Sequence, residues 1–271
     1  MARRRTDVTS REYKVMLKPS LFDGDEHGLS AVVDRFWQAV ETALEPLGIP
    51  AKGSFSEVKA RRLIRFFDTD LNAINADSYI VREREDVATG EREVTLKFRH
   101  PDRYVASDRV MDPADDSQAK TKFEEDVKPP FVSVFSYSTT QPLSAEQALS
   151  HVQDVVDLFP GLPEALDESA HGEELVLVRD FTARELVLEG ASLLLGKRDI
   201  IAECAMVAWY DEGEADTTPV VIEFSFKYGD DQEDYRGSVA RDAFEVLNVL
   251  HKGLGDWVDP EPRTKTSFVY S

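Results

Sequence analysis

Apolar and polar residues alternate with a period of two through much of this chain. The alternation runs through EYKVMLK, RRLIRFF, SYIVRERE, EVTLKFR, LVLVRDF, ELVLEG, IIAECAMVAWYD and VVIEFSFKY, and each stretch predicts a strand with one face on a core. Elsewhere the period lengthens to that of a helix. Leu29, Val32, Val33, Phe36, Val40 and Leu44 form an apolar stripe over about Leu29 to Leu47, the mark of an amphipathic helix. Ser144 with Gln147 has the spacing of a capping box and predicts a second helix running to Phe159, before Pro160. A third is predicted from about Ser238 to Lys252, with Val239, Ala243, Val246, Leu247 and Leu250 inward and Gly253 as its stop. The Asp-rich stretch from Asp112 to Gln118 and the Pro129-Pro130 pair read as loops within one architecture. With no internal repeat or low-complexity linker, residues 1–271 are expected to form one domain. Eight or more long strands and few helices predict an α+β chain dominated by an antiparallel barrel.

Charge keeps the strand period too. Arg82 and Arg84 share one face of their strand, about 7 Å apart, while Val81 and Glu83 face the other way. Glu12 pairs with Lys14 in this sense, Lys97 with Arg99, Lys122 with Glu124 and Asp126, and Glu223 with Ser225 and Lys227. An ordinary small barrel turns its apolar face inward, and periodicity alone allows either orientation. The helices decide between them. Three amphipathic helices outside the barrel need apolar strand faces to cover, which leaves the charged faces to line the interior. The expectation is an eight-stranded, closed or nearly closed tunnel with helices outside, and Arg82, Arg84, Lys97 and Glu12 in one cavity. A plain structural barrel with these charges outside is the bland alternative.

Composition sharpens the picture in one respect. The chain has 52 acidic and 32 basic residues, a formal net charge of −20, so at long range it repels nucleic acid and anionic lipid. Any anion site must be a local basic pocket. Neither nucleic-acid nor membrane partners are expected: the basic N-terminal run MARRRTDVTS precedes no apolar segment, and no stretch approaches the ~20 apolar residues of a membrane span. A cytoplasmic location is expected. The single cysteine, Cys204, sits in the apolar run AECAMVAW and reads as an inert buried thiol. His27, His100, His151, His171 and His251 show no ligand spacing and read as surface residues.

The stretch RFFDTDLNAINADSYIVRERE, followed by VTLKFR, resembles the CYTH superfamily, also called triphosphate tunnel metalloenzymes. The resemblance is carried by Phe67, Asp68, Thr69, Leu71, Arg82, Arg84, Thr95, Leu96 and Lys97, with the first and the VVIEFSFK strands as weaker anchors. That family includes class IV adenylyl cyclases, thiamine triphosphatases, inorganic triphosphatases and polyphosphate polymerases. The resemblance implies an eight-stranded tunnel whose basic wall binds a triphosphate. Lys14, Arg82, Arg84, Lys97, Arg99 and Lys122 would contact phosphate, with Arg179 and Lys265 as further matches. Glu12, Glu124, Asp126, Asp211 and Glu223 would hold Mg2+ or Mn2+, and Lys14, Arg82, Arg84 and Glu124 would serve catalysis.

The chemistry suits these residue types. Guanidiniums bind phosphate oxygens in a forked geometry, Mg2+ takes a few carboxylates plus phosphate oxygens, and phosphoryl transfer needs mainly positioning and charge neutralisation. Two positions depart from the family pattern. Ser10 stands where the opening Glu-x-Glu-x-Lys signature has its first acid, and Ser225 where the late Glu-x-Glu has its second. Each loses a carboxylate, which marks a divergent member with weakened metal binding. The implied function is a metal-dependent triphosphatase. A phosphate- or nucleotide-binding protein without turnover and a class IV-like adenylyl cyclase are the alternatives.

Overall fold

Among the described residues, eleven strands carry the fold: β1 (Ser10–Leu17), β2 (Ala51–Lys52), β3 (Glu57–Asp68), β4 (Tyr79–Asp86), β5 (Arg92–His100), β6 (Lys120–Lys128), β7 (Val132–Leu143), β8 (Val176–Glu189), β9 (Ser192–Leu195), β10 (Ile200–Asp211) and β11 (Val221–Gly229). The structure, a computed structural model, describes residues 6–24, 26–162, 166, 168–197, 200–214, 218–260 and 264–271. The basic run at residues 1–5 lies outside the described residues.

Nine of the strands close a ring in the order β11-β1-β6-β7-β5-β4-β3-β8-β10, and β10 pairs back onto β11. The short β9 and β2 extend the sheet beside the first half of β10. The tunnel architecture is as expected, with nine strands in the ring rather than eight, and with β1 and β6 parallel in an otherwise antiparallel ring. The eight alternating stretches make seven of the ring strands, because two of them are one strand, and β6 and β7 bring the ring to nine. VSVFSYSTTQPL forms β7, paired along its length with β5 and β6; its Ser and Thr positions give it a weak apolar signal. LVLVRDF and ELVLEG are one strand, β8, bent at Arg179 and Asp180, which have φ of 57° and 52°.

The apolar strand faces point outward, under the helices. α1 (Glu26–Leu44) buries Leu29, Val32, Val33, Phe36, Val40 and Leu44 with α5 (Gly237–Gly253) against Tyr13, Val15, Leu17, Phe224 and Phe226. On the far side Val81, Val94, Leu96, Phe98 and Phe123 pack with α2 (Ala73–Ala76), α3 (Arg103–Ser107) and α4 (Val152–Leu158). Each such side chain contributes about 1.5–3 kcal/mol by leaving water, which holds the charged faces inward. Cys204 lies in the α1/α5 layer, where burial pushes its thiol pKa up. Ser144 and Gln147 form a separate turn, Ser144 N donating to Gln147 Oε1 at 3.0 Å. The helix starts eight residues later, at Val152, where His151 N donates to Asp154 Oδ2 at 2.8 Å.

A third apolar cluster sits inside the ring. Ile64, Phe66, Ile80, Ala183, Val207, Trp209 and Val221 meet Val269 of the C-terminal α6 (Lys265–Tyr270) and fill one end of the barrel. Among the described residues, no helix is long and apolar enough to cross a membrane.

Candidate anion-binding tunnel

The remaining interior is a cavity of about 750 Å³. Among the described residues, eleven basic and seven acidic side chains line it, a net of +4, in a chain whose total is −20. Of the residues singled out in the sequence, Glu12, Lys14, Arg82, Arg84, Lys97, Arg99, Lys122, Glu124, Asp126, Glu223 and Lys265 all line this cavity. Arg179 and Asp211 do not. Arg179 sits in the bend of β8, where the positive φ breaks the alternation, and its guanidinium donates to the carbonyls of Phe268 (3.1 Å) and Ser271 (2.8 Å). Asp211 ends β10 and accepts from Gly213 N at 2.9 Å in the following turn. His251, expected at the surface, reaches the cavity wall.

Strand pairing sets the order of charges. Glu12 and Asp126 are in register on the parallel β1 and β6, so their carboxylates flank Lys14, whose Nζ lies 2.9 Å from Glu12 Oε2 and 2.8 Å from Asp126 Oδ1. Burial opposes the charge on Lys14, but Asp126, Glu12 and Glu223 outweigh it and raise its pKa. Burial likewise opposes the negative charge on Asp126, and Lys14, Lys97 and Arg99 together hold its pKa low. Lys265 Nζ lies 2.7 Å from Glu223 Oε1, and Arg84 Nη1 3.2 Å from Glu93 Oε1.

Arg62, Glu93, Lys120, Lys128, Glu185 and Asp259, not singled out in the sequence, also line the wall. Glu185 is 4% exposed and accepts from Trp209 Nε1 at 2.9 Å and Arg62 Nη1 at 3.3 Å. Arg62 and Glu185 are directly opposed on β3 and β8, and both obey the alternation of RRLIRFF and ELVLEG, so the signal was present in the strand parity. The Asp68-Thr69 pair serves the backbone: Asp68 accepts from the amides of Thr69, Ile74 and Asn75 at 2.8, 2.9 and 2.9 Å and so fixes the turn into β4.

The cationic side of the cavity is under-compensated. Among the described residues, Arg82 Nε and Arg84 Nε are buried without a hydrogen-bond partner, and burial together with Arg84 pushes Arg82 down to about 9. Burial, with repulsion from Arg99 and Lys14 against the attraction of Asp126, pushes Lys97 down to about 8. The unfolded chain therefore binds more protons at Lys97 than the native chain does between about pH 8 and the ordinary lysine value near 10.4, so this group's contribution to stability rises with pH across that window. A Lys97→Met variant is expected to be the more stable protein at pH 7.5, with the gap closing by about pH 10. Urea unfolding of both proteins across the window measures this, and a gap that is constant with pH contradicts it.

The carboxylates do not fit a divalent-metal site as they stand. Among the described residues no three acidic or histidine side chains converge on one point. Glu12, Asp126 and Glu223 are each closed by a lysine, and Glu124 Oε1 accepts from Ser10 Oγ at 2.7 Å.

Fold and site together define a closed β-tunnel with a cation-rich interior. No family model and no curated relative matches the chain. Among solved structures it is similar to a Hippeastrum protein designated an adenylyl cyclase and described as having a dominant triphosphatase activity, at 12% identity over 97% of this chain and 95% of that one, TM-score 0.45. It is also similar to a Bacillus halodurans protein designated an adenylate cyclase, at 13% identity over 98% of each, TM-score 0.44. A conserved hypothetical protein from Pyrococcus furiosus matches at 12% identity over 94% and 98%, TM-score 0.35. Likenesses of this size assign neither a family nor an activity.

Proposed function

We propose that the tunnel binds the triphosphate group of a small anionic molecule. The observation that carries this is the buried Arg82, Arg84 and Lys97 cluster, two of whose guanidinium nitrogens lack a partner among the described residues. A buried donor without an acceptor costs roughly 1–3 kcal/mol, and an anion with several oxygens would supply the acceptors. The cavity volume is that of a small-molecule site. The acidic exterior repels anions at long range, so the local +4 interior selects a compact, highly charged ligand over a nucleic acid. The sequence resemblance to triphosphate tunnel proteins points the same way.

Hydrolysis of the bound group is the second reading, and Glu124 favours it. Its carboxylate lies on the tunnel wall beside Lys122 and Asp126, oriented by Ser10, as a group that positions water would be.

Tripolyphosphate at a hundredfold excess over its Kd is expected to stabilise the protein by about 2.7 kcal/mol. Thermal unfolding at low salt measures this, and an unchanged melting temperature at millimolar ligand contradicts the site. Phosphate release from tripolyphosphate, ATP and thiamine triphosphate separates turnover from binding.

A further inference from the structure

We propose that the tunnel takes its ligand as the free polyanion, without a divalent cation, because the chain's own ammonium groups occupy the places where its carboxylates converge. This rests on the triphosphate reading of the cavity and concerns the form in which the ligand enters.

The point best suited to a divalent ion is the gap between Glu12 and Asp126, where two carboxylate oxygens come within 2.9 and 2.8 Å of one atom. That atom is Lys14 Nζ. Lys14 is tethered to the same strand as Glu12, and the in-register parallel pairing of Glu12 with Asp126 builds the arrangement into the backbone. A second acid, Glu223, is closed by Lys265 at 2.7 Å. Lys265 in turn begins α6, whose Thr266 Oγ1 accepts from Arg99 Nη1 at 2.8 Å and whose Val269 is buried in the interior cluster. The acids are thus neutralised by groups that the fold itself holds in place.

Entry of a divalent ion would require Lys14 or Lys265 to swing away, into a cavity that already carries more basic than acidic side chains. The ion would gain two carboxylates at the expense of two ion pairs and added repulsion among the cations. In contrast, Arg82, Lys120, Lys122 and Lys227 line the cavity with no ion-pair partner among the described residues. Their attraction is greatest for the ligand with the most negative charge. A bound magnesium ion removes two of those charges and occupies the oxygens that guanidiniums would use.

Titration calorimetry with tripolyphosphate, once in EDTA and once in excess Mg2+ at matched ionic strength, tests this because the two alternatives differ in sign. Mg2+ sequesters free tripolyphosphate, so a protein that takes the free anion loses apparent affinity. The expected result is binding at least about tenfold weaker in Mg2+. Equal or tighter binding in Mg2+ overturns the proposal while leaving the triphosphate site intact. Absence of binding in both arms overturns the triphosphate reading, and this inference with it. An independent readout uses Mn2+ alone, followed by its electron paramagnetic resonance. The natural protein is expected to leave Mn2+ free, and Lys14→Met to bind it between Glu12 and Asp126. Tight Mn2+ binding by the natural protein contradicts the proposal whether or not the variant folds.

Discussion

Arg82→Gln is expected to weaken tripolyphosphate binding by roughly 10- to 100-fold while raising the melting temperature of the unliganded protein. The first effect follows from the strength of hydrogen bonds to charged groups, about 1.5–3 kcal/mol each. The second follows from the state of the empty tunnel. Burial and the neighbouring Arg84 disfavour the charge on Arg82 enough to push its pKa down to about 9, and its Nε lacks a partner among the described residues. A neutral side chain removes that repulsion. The opposite signs are the useful part, because a merely structural arginine would lose binding and stability together. Calorimetry with tripolyphosphate and thermal unfolding without it give both numbers, and a variant that binds normally removes Arg82 from the site.

Glu83→Ala is expected to cost about 1–3 kcal/mol of stability, the range for removing a buried hydrogen-bonding partner. Glu83 lies between Arg82 and Arg84 but faces outward and is 2% exposed. Its Oε1 accepts from Arg65 Nη1 at 2.8 Å and its Oε2 from Arg92 Nη2 at 2.9 Å. Arg92 Nη1 also donates to the carbonyls of Ser144 and Gln147, at 3.1 and 2.9 Å, so the carboxylate anchors the 144–147 turn onto the barrel. Without it Arg65 keeps Glu85 Oε2 at 2.8 Å and Arg92 keeps its two carbonyls, but the carboxylate that joins the two guanidiniums is gone. Urea unfolding measures the loss, and Glu83→Gln, which keeps one acceptor, should lose less. Tripolyphosphate affinity of the folded variant should be unchanged, since the cluster is on the other face of the sheet. A loss under about 1 kcal/mol would mean that the cluster behaves as an exposed one.

This pair of neighbours shows what was legible in the sequence. Alternation separates Arg82 and Arg84 from Glu83, and the need of the helices for apolar cover tells which side is inside. The same logic placed Glu12, Lys14, Lys97 and Asp126 correctly in the cavity. It failed where alternation fails. The positive φ at Arg179 and Asp180 splits β8 into two apparent strands and sends Arg179 to the C-terminal carbonyls. β7 was missed because hydrogen-bonding hydroxyls replace apolar residues on it: Thr139 Oγ1 donates to Met111 O at 2.6 Å, and the Thr140 and Thr95 hydroxyls lie 2.7 Å apart. Arg62 and Glu185 had the right parity, but 123 residues separate them, and only pairing in space shows them as partners. The closure of Glu12 and Asp126 by Lys14 depends on the β1–β6 register, which no local pattern encodes.

That register also dictates when the interior can exist. β1 leaves the ribosome before the other ten strands of this sheet, yet its ring neighbours are β6 and β11, the strand made after all of them. Until residue 229 has been made, β1 and β10 each present an open edge toward the missing strand. The lysine at position 14 waits 112 residues for Asp126. Vectorial synthesis therefore lays down the basic wall early and its closure late, and a nascent chain halted before β11 carries two unpaired edges and no tunnel.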